Sequence, residues 1–263
     1  MMIETNGASL HVVDAGSGDP TLVFLHYWGG SGRTWTEVTS ALCGRYRCVA
    51  PDLPGWGDSS PSSFGYRIAD LASCIGSMIT RLELSDVVLV GHSMGGKIAQ
   101  YLAGSRPGWL KGLVLVAPSP ALPLIVPIHQ RRAMQSAYAT RISIEETVDN
   151  VLTASLIEGV RRERIVEDSL SGHPDAQAAW PAYAMLEDIS DLTRRIDVPT
   201  LLLTGEHDRV DPPAVLAERL VPFLSDPEVH ELPSVGHLLP LEAPGEVAGC
   251  IAQWLSGMHA KCD

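Results

Sequence analysis

A serine hydroxyl becomes a nucleophile at neutral pH only when a base takes its proton and a third group fixes that base in the right tautomer. The chain carries residues of these three types in suitable surroundings. Ser93 lies in Gly91-His92-Ser93-Met94-Gly95, which fits the G-x-S-x-G turn called a nucleophile elbow. Asp208 lies in Gly205-Glu206-His207-Asp208, and His237 in Ser234-Val235-Gly236-His237. The chemistry they imply is acyl transfer. Ser93 attacks a carbonyl carbon, His237 acts as general base and then acid, and Asp208 orients His237 and stabilises its charged form. The oxyanion formed on attack needs two N–H donors. One is the Met94 amide, at the start of the helix after Ser93. The other comes from His26-Tyr27-Trp28-Gly29-Gly30-Ser31-Gly32 and is read as the Trp28 amide.

These groups must be held by strand ends. Val87-Val88-Leu89-Val90 is a buried strand that runs into the elbow, and helical sequence follows from Met94 to Ala103. Thr21 to Leu25 is a near-continuous apolar run, so it is a strand buried on both faces, with the oxyanion loop after it. Thr200 to Thr204 is the strand before Asp208, and Val229 to Leu232 the strand before His237. Further strands are expected at 46–50 and 113–116, and a hairpin at Asn6-Gly7. Ile68, Leu71, Ala72, Ile75, Ile79 and Leu82 recur at helical spacing. Buried strands separated by helices imply a doubly wound, mostly parallel α/β sheet. Between Pro118 and Ser190 no strand-like aliphatic run occurs. Prolines open that stretch, and helices are expected near 130–139, 144–156 and 180–186. The division expected is a core of residues 1–117 and 191–263, with 118–190 inserted as a helical cap.

Rival readings are weaker. Gly91-x4-Gly96-Lys97 approaches a phosphate-binding loop, but Ile98 stands where a magnesium-binding Ser or Thr is needed. Lys97 then reads as a surface helix residue. Glu206 and Asp211 compete with Asp208, but Asp211 precedes Pro212-Pro213 and reads as the cap of the next helix. His92 reads as elbow packing turned away from the site, and His26 as a brace for its own loop. Asp52 and Asp58 read as turn residues. His11, His129, His173, His230 and His259 are read as having no carboxylate or cysteine partners at metal-ligand spacing, so no metal site is expected.

Composition narrows the partners. Apolar residues make up 45% and charged residues 19% of the 263 residues, as in an ordinary globular protein. A net charge of −12 disfavours nucleic acid and anionic membrane surfaces. No apolar run reaches membrane-spanning length, and Met1 to Gly7 lacks a signal-peptide pattern. Cys43, Cys48, Cys74, Cys250 and Cys262 are odd in number and scattered, which suits reduced thiols and a cytoplasmic location.

With the Ser93 elbow, the His26 loop, the turn at 52–59, the Gly205–Asp208 loop and the segment 237–244 in this order, the chain resembles the α/β-hydrolase fold superfamily, in its small, capped serine esterase and lipase-like branch. The resemblance implies a sheet of about eight strands under a helical cap. It implies a cofactor-free hydrolase cleaving small, rather apolar carboxylic esters through an acyl-enzyme on Ser93. A serine nucleophile argues against the dehalogenase and epoxide hydrolase branches, which use aspartate. The same triad also suits lactone hydrolysis, perhydrolysis of the haloperoxidase kind, or C–C bond cleavage. A reading of another class is a small-molecule receptor on a hydrolase fold. The departure from the family is Tyr27, where glycine is usual. It places a phenol at the acyl pocket, whose other candidate walls are Leu122, Ile125, Trp180, Tyr183 and Leu238.

Overall fold

The structure is a computed structural model and describes residues 1–259. Its sheet has eight strands: β1 (Met2–Glu4), β2 (Ser9–Ala15), β3 (Thr21–Leu25), β4 (Cys48–Pro51), β5 (Val87–His92), β6 (Leu110–Val116), β7 (Thr200–Gly205) and β8 (Glu228–Leu232). The spatial order is β1-β2-β4-β3-β5-β6-β7-β8. β1 and β2 form the hairpin over Asn6-Gly7, and β2 is antiparallel to β4. From β4 onward every pairing is parallel. The helices are α1 (Thr36–Leu42), α2 (Ile68–Arg81), α3 (Met94–Gly104), α4 (Ile128–Ser136), α5 (Arg141–Thr147), α6 (Gly159–Ser171), α7 (Pro174–Ala182), α8 (Ser190–Thr193), α9 (Pro213–Arg219), α10 (Leu239–Glu242) and α11 (Pro244–His259).

The residues of β3 and β5 are all buried, and their alternate side chains feed two cores. Val23, Leu25, Leu89 and Leu113 join the core under α2 and α3. Leu22, Phe24, Val88, Val90 and Val114 join the one that holds Val38 of α1 and Ile251 of α11. A sheet covered on both faces needs this double apolar pattern, because neither side of the strand meets water. The pairing Leu25↔Gly91 and His92↔Val116 aligns the carboxyl ends of β3, β5 and β6. The chain leaves β3 toward β4 on one side and returns to β5 on the other. That change of direction opens a crevice at the carboxyl ends, where ligands bind in sheets of this kind.

Between β6 and β7 the chain is helical, as expected, but its helices differ from the sequence expectation. The stretch expected at 144–156 is α5 followed by one π turn at Val148–Leu152. α6 was missed, because Gly159–Ser171 is mostly polar and buries only a short stripe around Ile165 and Val166. The stretch expected at 180–186 is the end of α7 and a 3-10 turn at Ala184–Leu186. α7 starts with Pro174 at its first position and a His173 cap, signals that went unread.

Candidate active site

The elbow is held by steric necessity. Ser93 takes φ 53 and ψ −116, a left-handed conformation that costs energy for a side-chain-bearing residue. A Cβ at Gly91 would come within 2.5 Å of Gly95 O, and one at Gly95 would run into Leu25 O and His26 O. Both positions therefore require glycine. The turn leaves Ser93 buried at the mouth of α3, directly after the central strand.

Ser93, Asp208 and His237 come together. Ser93 Oγ lies 2.9 Å from His237 Nε2, and His237 Nδ1 lies 2.8 Å from Asp208 Oδ2. Asp208 cannot donate when ionised, so His237 Nδ1–H donates to it. His237 Nε2 is then free to accept the Ser93 proton. Asp208 Oδ1 accepts the Val210 and Asp211 amides at 2.8 and 3.0 Å, which fixes the carboxylate plane. Burial alone would push the Asp208 carboxyl up, but the charge of His237 and these hydrogen bonds outweigh it and hold it below its ordinary value. Burial likewise pulls His237 down, while Asp208, with Asp211 and Glu242 farther off, holds it above the ordinary histidine value. The two shifts agree: each partner favours the other's charged form.

His26 braces its loop as expected. Its Nε2 accepts the Leu53 amide at 2.9 Å, so the proton sits on Nδ1, which donates to Tyr27 O at 2.7 Å. Burial drives its pKa down to about 4, so the ring is neutral. Gly30 N–H donates to the same carbonyl at 3.1 Å. Tyr27 O and the Trp28 N–H belong to one trans peptide, so anchoring the carbonyl aims the amide the other way. Among the described residues, neither the Trp28 nor the Met94 amide donates to a protein acceptor. Tyr27 is not among the left-handed residues of this loop, so tyrosine fits its backbone without strain; Gly29 takes the turn with φ 99.

A cavity of about 440 Å³ opens onto Ser93 and His237. Tyr27 and Trp180 line it, together with Trp28, Leu124, Met134 and Tyr138. The other candidate walls do not. Ile125 is 77% exposed, and Leu238 is fully buried. The Leu122 carbonyl faces Lys97, and Tyr183 stacks under the Arg67 guanidinium. Residues that the sequence reading missed tie the helices to the oxyanion loop. Tyr138 OH donates to Trp28 O at 2.7 Å, Trp28 Nε1–H to Gln177 O at 3.1 Å, and Ser169 Oγ–H to Gly29 O at 2.9 Å. Asp168 accepts from Ser31 Oγ at 2.9 Å and Arg33 Nε at 3.0 Å. Glu242 accepts the Ala154 and Gly236 amides, joining the His237 loop to the same helical segment. Tyr138, Gln177, Ser169 and Asp168 lie more than a hundred residues from the loop residues they hold, and no local sequence signal marks them.

Several expectations need correction. Lys97 is not at the surface: it is fully buried, with Leu122 O 3.5 Å from its Nζ, and burial lowers its pKa to about 8. Asp211 does not cap α9, whose cap position is Pro212. It is buried, and neither carboxylate oxygen has a hydrogen-bond partner. Burial raises its pKa to about 7. His92 does more than pack: its Nε2–H donates to His237 O at 2.8 Å, and its ring lies 5.2 Å from that of His237. His11 and His230 do have carboxylate partners, Asp52 at 3.0 Å and Glu228 at 2.7 Å. His11, Asp52 and Asp58 lie within ligand spacing of one another. Asp52 already accepts the Gly32 and Asp58 amides there, so its carboxylate organises a turn. Cys43, Cys48, Cys74 and Cys250 are free thiols, and Cys262 lies outside the described residues. No helix among the described residues is long and apolar enough to cross a membrane.

Comparison with known proteins fits this architecture. The chain is 29% identical over 248 residues to 2-succinyl-6-hydroxy-2,4-cyclohexadiene-1-carboxylate synthase of Enterobacter sp. (strain 638), covering 90% of this chain and 92% of that one. It is 28% identical over 251 residues to a non-heme haloperoxidase of Rhodococcus erythropolis, covering 89% and 90%. A thermophilic esterase from Thermogutta terrifontis superposes with a TM-score of 0.84 at 26% identity, covering 98% of both chains. The model of the Alpha/beta hydrolase family matches residues 22–249. With a doubly wound eight-stranded sheet and a serine at its central elbow, the chain belongs to the alpha/beta hydrolase family.

Proposed function

We propose that the protein is a serine carboxylesterase in which Ser93, His237 and Asp208 form the catalytic triad. The observation that carries this reading is the unbroken line of hydrogen bonds from Ser93 Oγ through both nitrogens of His237 to Asp208. Ser93 Oγ attacks the ester carbonyl while its proton passes to His237 Nε2. The Met94 and Trp28 amides receive the oxyanion. The tetrahedral intermediate expels the alcohol, which takes the proton back from His237 and leaves an acyl group on Ser93. Water then attacks the acyl-enzyme with His237 again as base, releasing the acid and restoring the serine. Residues 118–190 are the cap over this site, and 1–117 with 191–263 are the core. The mostly apolar cavity supports small, rather apolar esters as substrates.

The haloperoxidase relative favours a second use of the same acyl-enzyme, interception by hydrogen peroxide in place of water to give a peracid. The deciding experiment is labelling with a fluorophosphonate, alongside p-nitrophenyl ester hydrolysis and a peracid-trapping assay. Wild type should be labelled and should turn over the esters. Ser93→Ala should lose the label and at least about 10^4-fold in kcat. Label that survives in Ser93→Ala would overturn the assignment.

A further inference from the structure

We infer that Arg209 binds a carboxylate carried by the substrate, so that the enzyme acts on esters with a free acid at the end remote from the scissile bond. The inference deepens the esterase reading and rests on it. Arg209 lines the cavity that opens onto Ser93, and no Asp or Glu does so among the described lining residues. It is therefore the one lining side chain with a fixed charge.

Three other arginines near this segment are paired with carboxylates, while Arg131, like Arg209, bonds only to carbonyls. Arg141 sits on Glu163, Arg161 on Glu37 and Arg162 on Asp149. The chain has 31 acidic and 19 basic residues, so carboxylates to neutralise a guanidinium are plentiful. Arg209 has none within ion-pair distance among the described residues. One of its five donors is used, from Nη1 to Asn150 O at 3.1 Å, and the residue is otherwise exposed at the cavity mouth. The remaining edge has the fork geometry that pairs with a carboxylate in two hydrogen bonds.

The surrounding residues agree. Gln130, Thr147, Asn150 and Arg209 line the same cavity as Trp28, Tyr138, Trp180 and Ser93. The cavity is thus amphipathic: neutral hydrogen-bonding groups and one cation accompany a larger apolar surface. An aliphatic half-ester of a dicarboxylic acid matches both parts. Its methylene chain fits the apolar lining, its ester reaches Ser93, and its carboxylate meets Arg209. Arg209 also follows Asp208 directly, so its backbone is fixed by the same turn that fixes the triad acid.

The test compares monoethyl esters of succinic to adipic acid with chain-matched neutral ethyl esters. The readout is the ratio of kcat/KM for half-ester over neutral ester, which cancels any general damage from a substitution beside Asp208. Wild type should favour one half-ester length. Arg209→Gln should reduce the ratio about 10- to 100-fold, the range of a charge-assisted hydrogen bond, mainly through KM. Arg209→Lys should restore part of it. Calorimetric binding of the same half-esters to Ser93→Ala, with and without Arg209→Gln, reads recognition without turnover. An unchanged ratio together with equal affinities would overturn the inference. Retained binding preference with no turnover and no fluorophosphonate label would instead overturn the esterase reading and leave the role of Arg209 standing.

Discussion

On the sheet side of the cleft, Ser93, Asp208 and His237 each hang from the carboxyl end of a strand, β5, β7 and β8. Their positions follow from backbone register and from turns with one sterically allowed shape. On the helical side, nothing is fixed by register. α6, α7 and the Tyr138 segment are held over the oxyanion loop by side-chain bonds to Trp28, Gly29, Ser31 and Arg33. The first wall carries the proposed triad on a scaffold that cannot shift without unzipping a sheet. The second is attached by these hydrogen bonds, each worth about 1 kcal/mol net, and by apolar side chains such as Tyr138, Ile165 and Trp180 that share a core with Trp28 and Trp56. A family can therefore exchange the second wall and keep the first, which is how one fold serves many substrates.

That contrast can be broken most sharply at Asp208. Asp208→Asn keeps the shape but offers an amide to His237 Nδ1, which disfavours the tautomer that leaves Nε2 open. We expect kcat to fall about 10^4-fold with KM little changed. A fall under about tenfold would mean that the sheet side does not own the chemistry. Tyr138→Phe probes the other wall. It removes one hydrogen bond to Trp28 O and leaves the ring stacked on Trp28, whose centroid is 4.4 Å away. Steady-state kinetics should show about a tenfold loss in kcat/KM, shared between kcat and KM, because the bond ties a substrate-lining helix segment to the peptide after the oxyanion donor. A pure KM effect would confine the helical wall to binding.

The same contrast explains what could be read in advance. Thr21–Leu25 and Val87–Val90 announce buried strands because they are almost wholly apolar, and the elbow announces itself because only glycine fits at Gly91 and Gly95. Asp208 could be picked out because it follows the buried Thr200–Gly205 strand, and His237 because it comes after Ser93 and Asp208 in a loop that follows the short, polar Glu228–Leu232 strand. Tyr138, Asp168 and Gln177 could not, since their partners are distant in sequence and any polar residue looks alike before the chain folds. Lys97 and Asp211 misled for a related reason. A charged residue defaults to the surface unless paired, and neither shows its surroundings in its sequence neighbours.

Asp211 offers a finer test, because it shares one loop with Asp208 in the opposite environment. Asp208 accepts two amides and a histidine, and its folded pKa is depressed. Its contribution to stability is present above the unfolded carboxyl value and is lost as pH falls through the folded one. Asp211 has no hydrogen-bond partner, and burial lifts its pKa from 3.8 to about 7 against the opposing charges of His237 and Lys97. Between those two values the folded chain holds a proton that the unfolded chain has released, so stability declines as pH rises through that window. Asp211→Asn is close in shape and does not titrate. The difference in Tm, variant minus wild type, should therefore be more positive at pH 8 than at pH 5, by a few degrees. Lys97, Glu187, Asp188 and Arg219 surround the same region, and losing the Asp211 charge drives the Lys97 pKa further down, which adds to the gain at high pH. The Asp211 charge also helps to hold His237 up, so the acid limb of kcat/KM should move to lower pH in the variant. A Tm difference that stays constant or shrinks with pH would show that Asp211 is ionised and paired in the folded state, as Asp208 is.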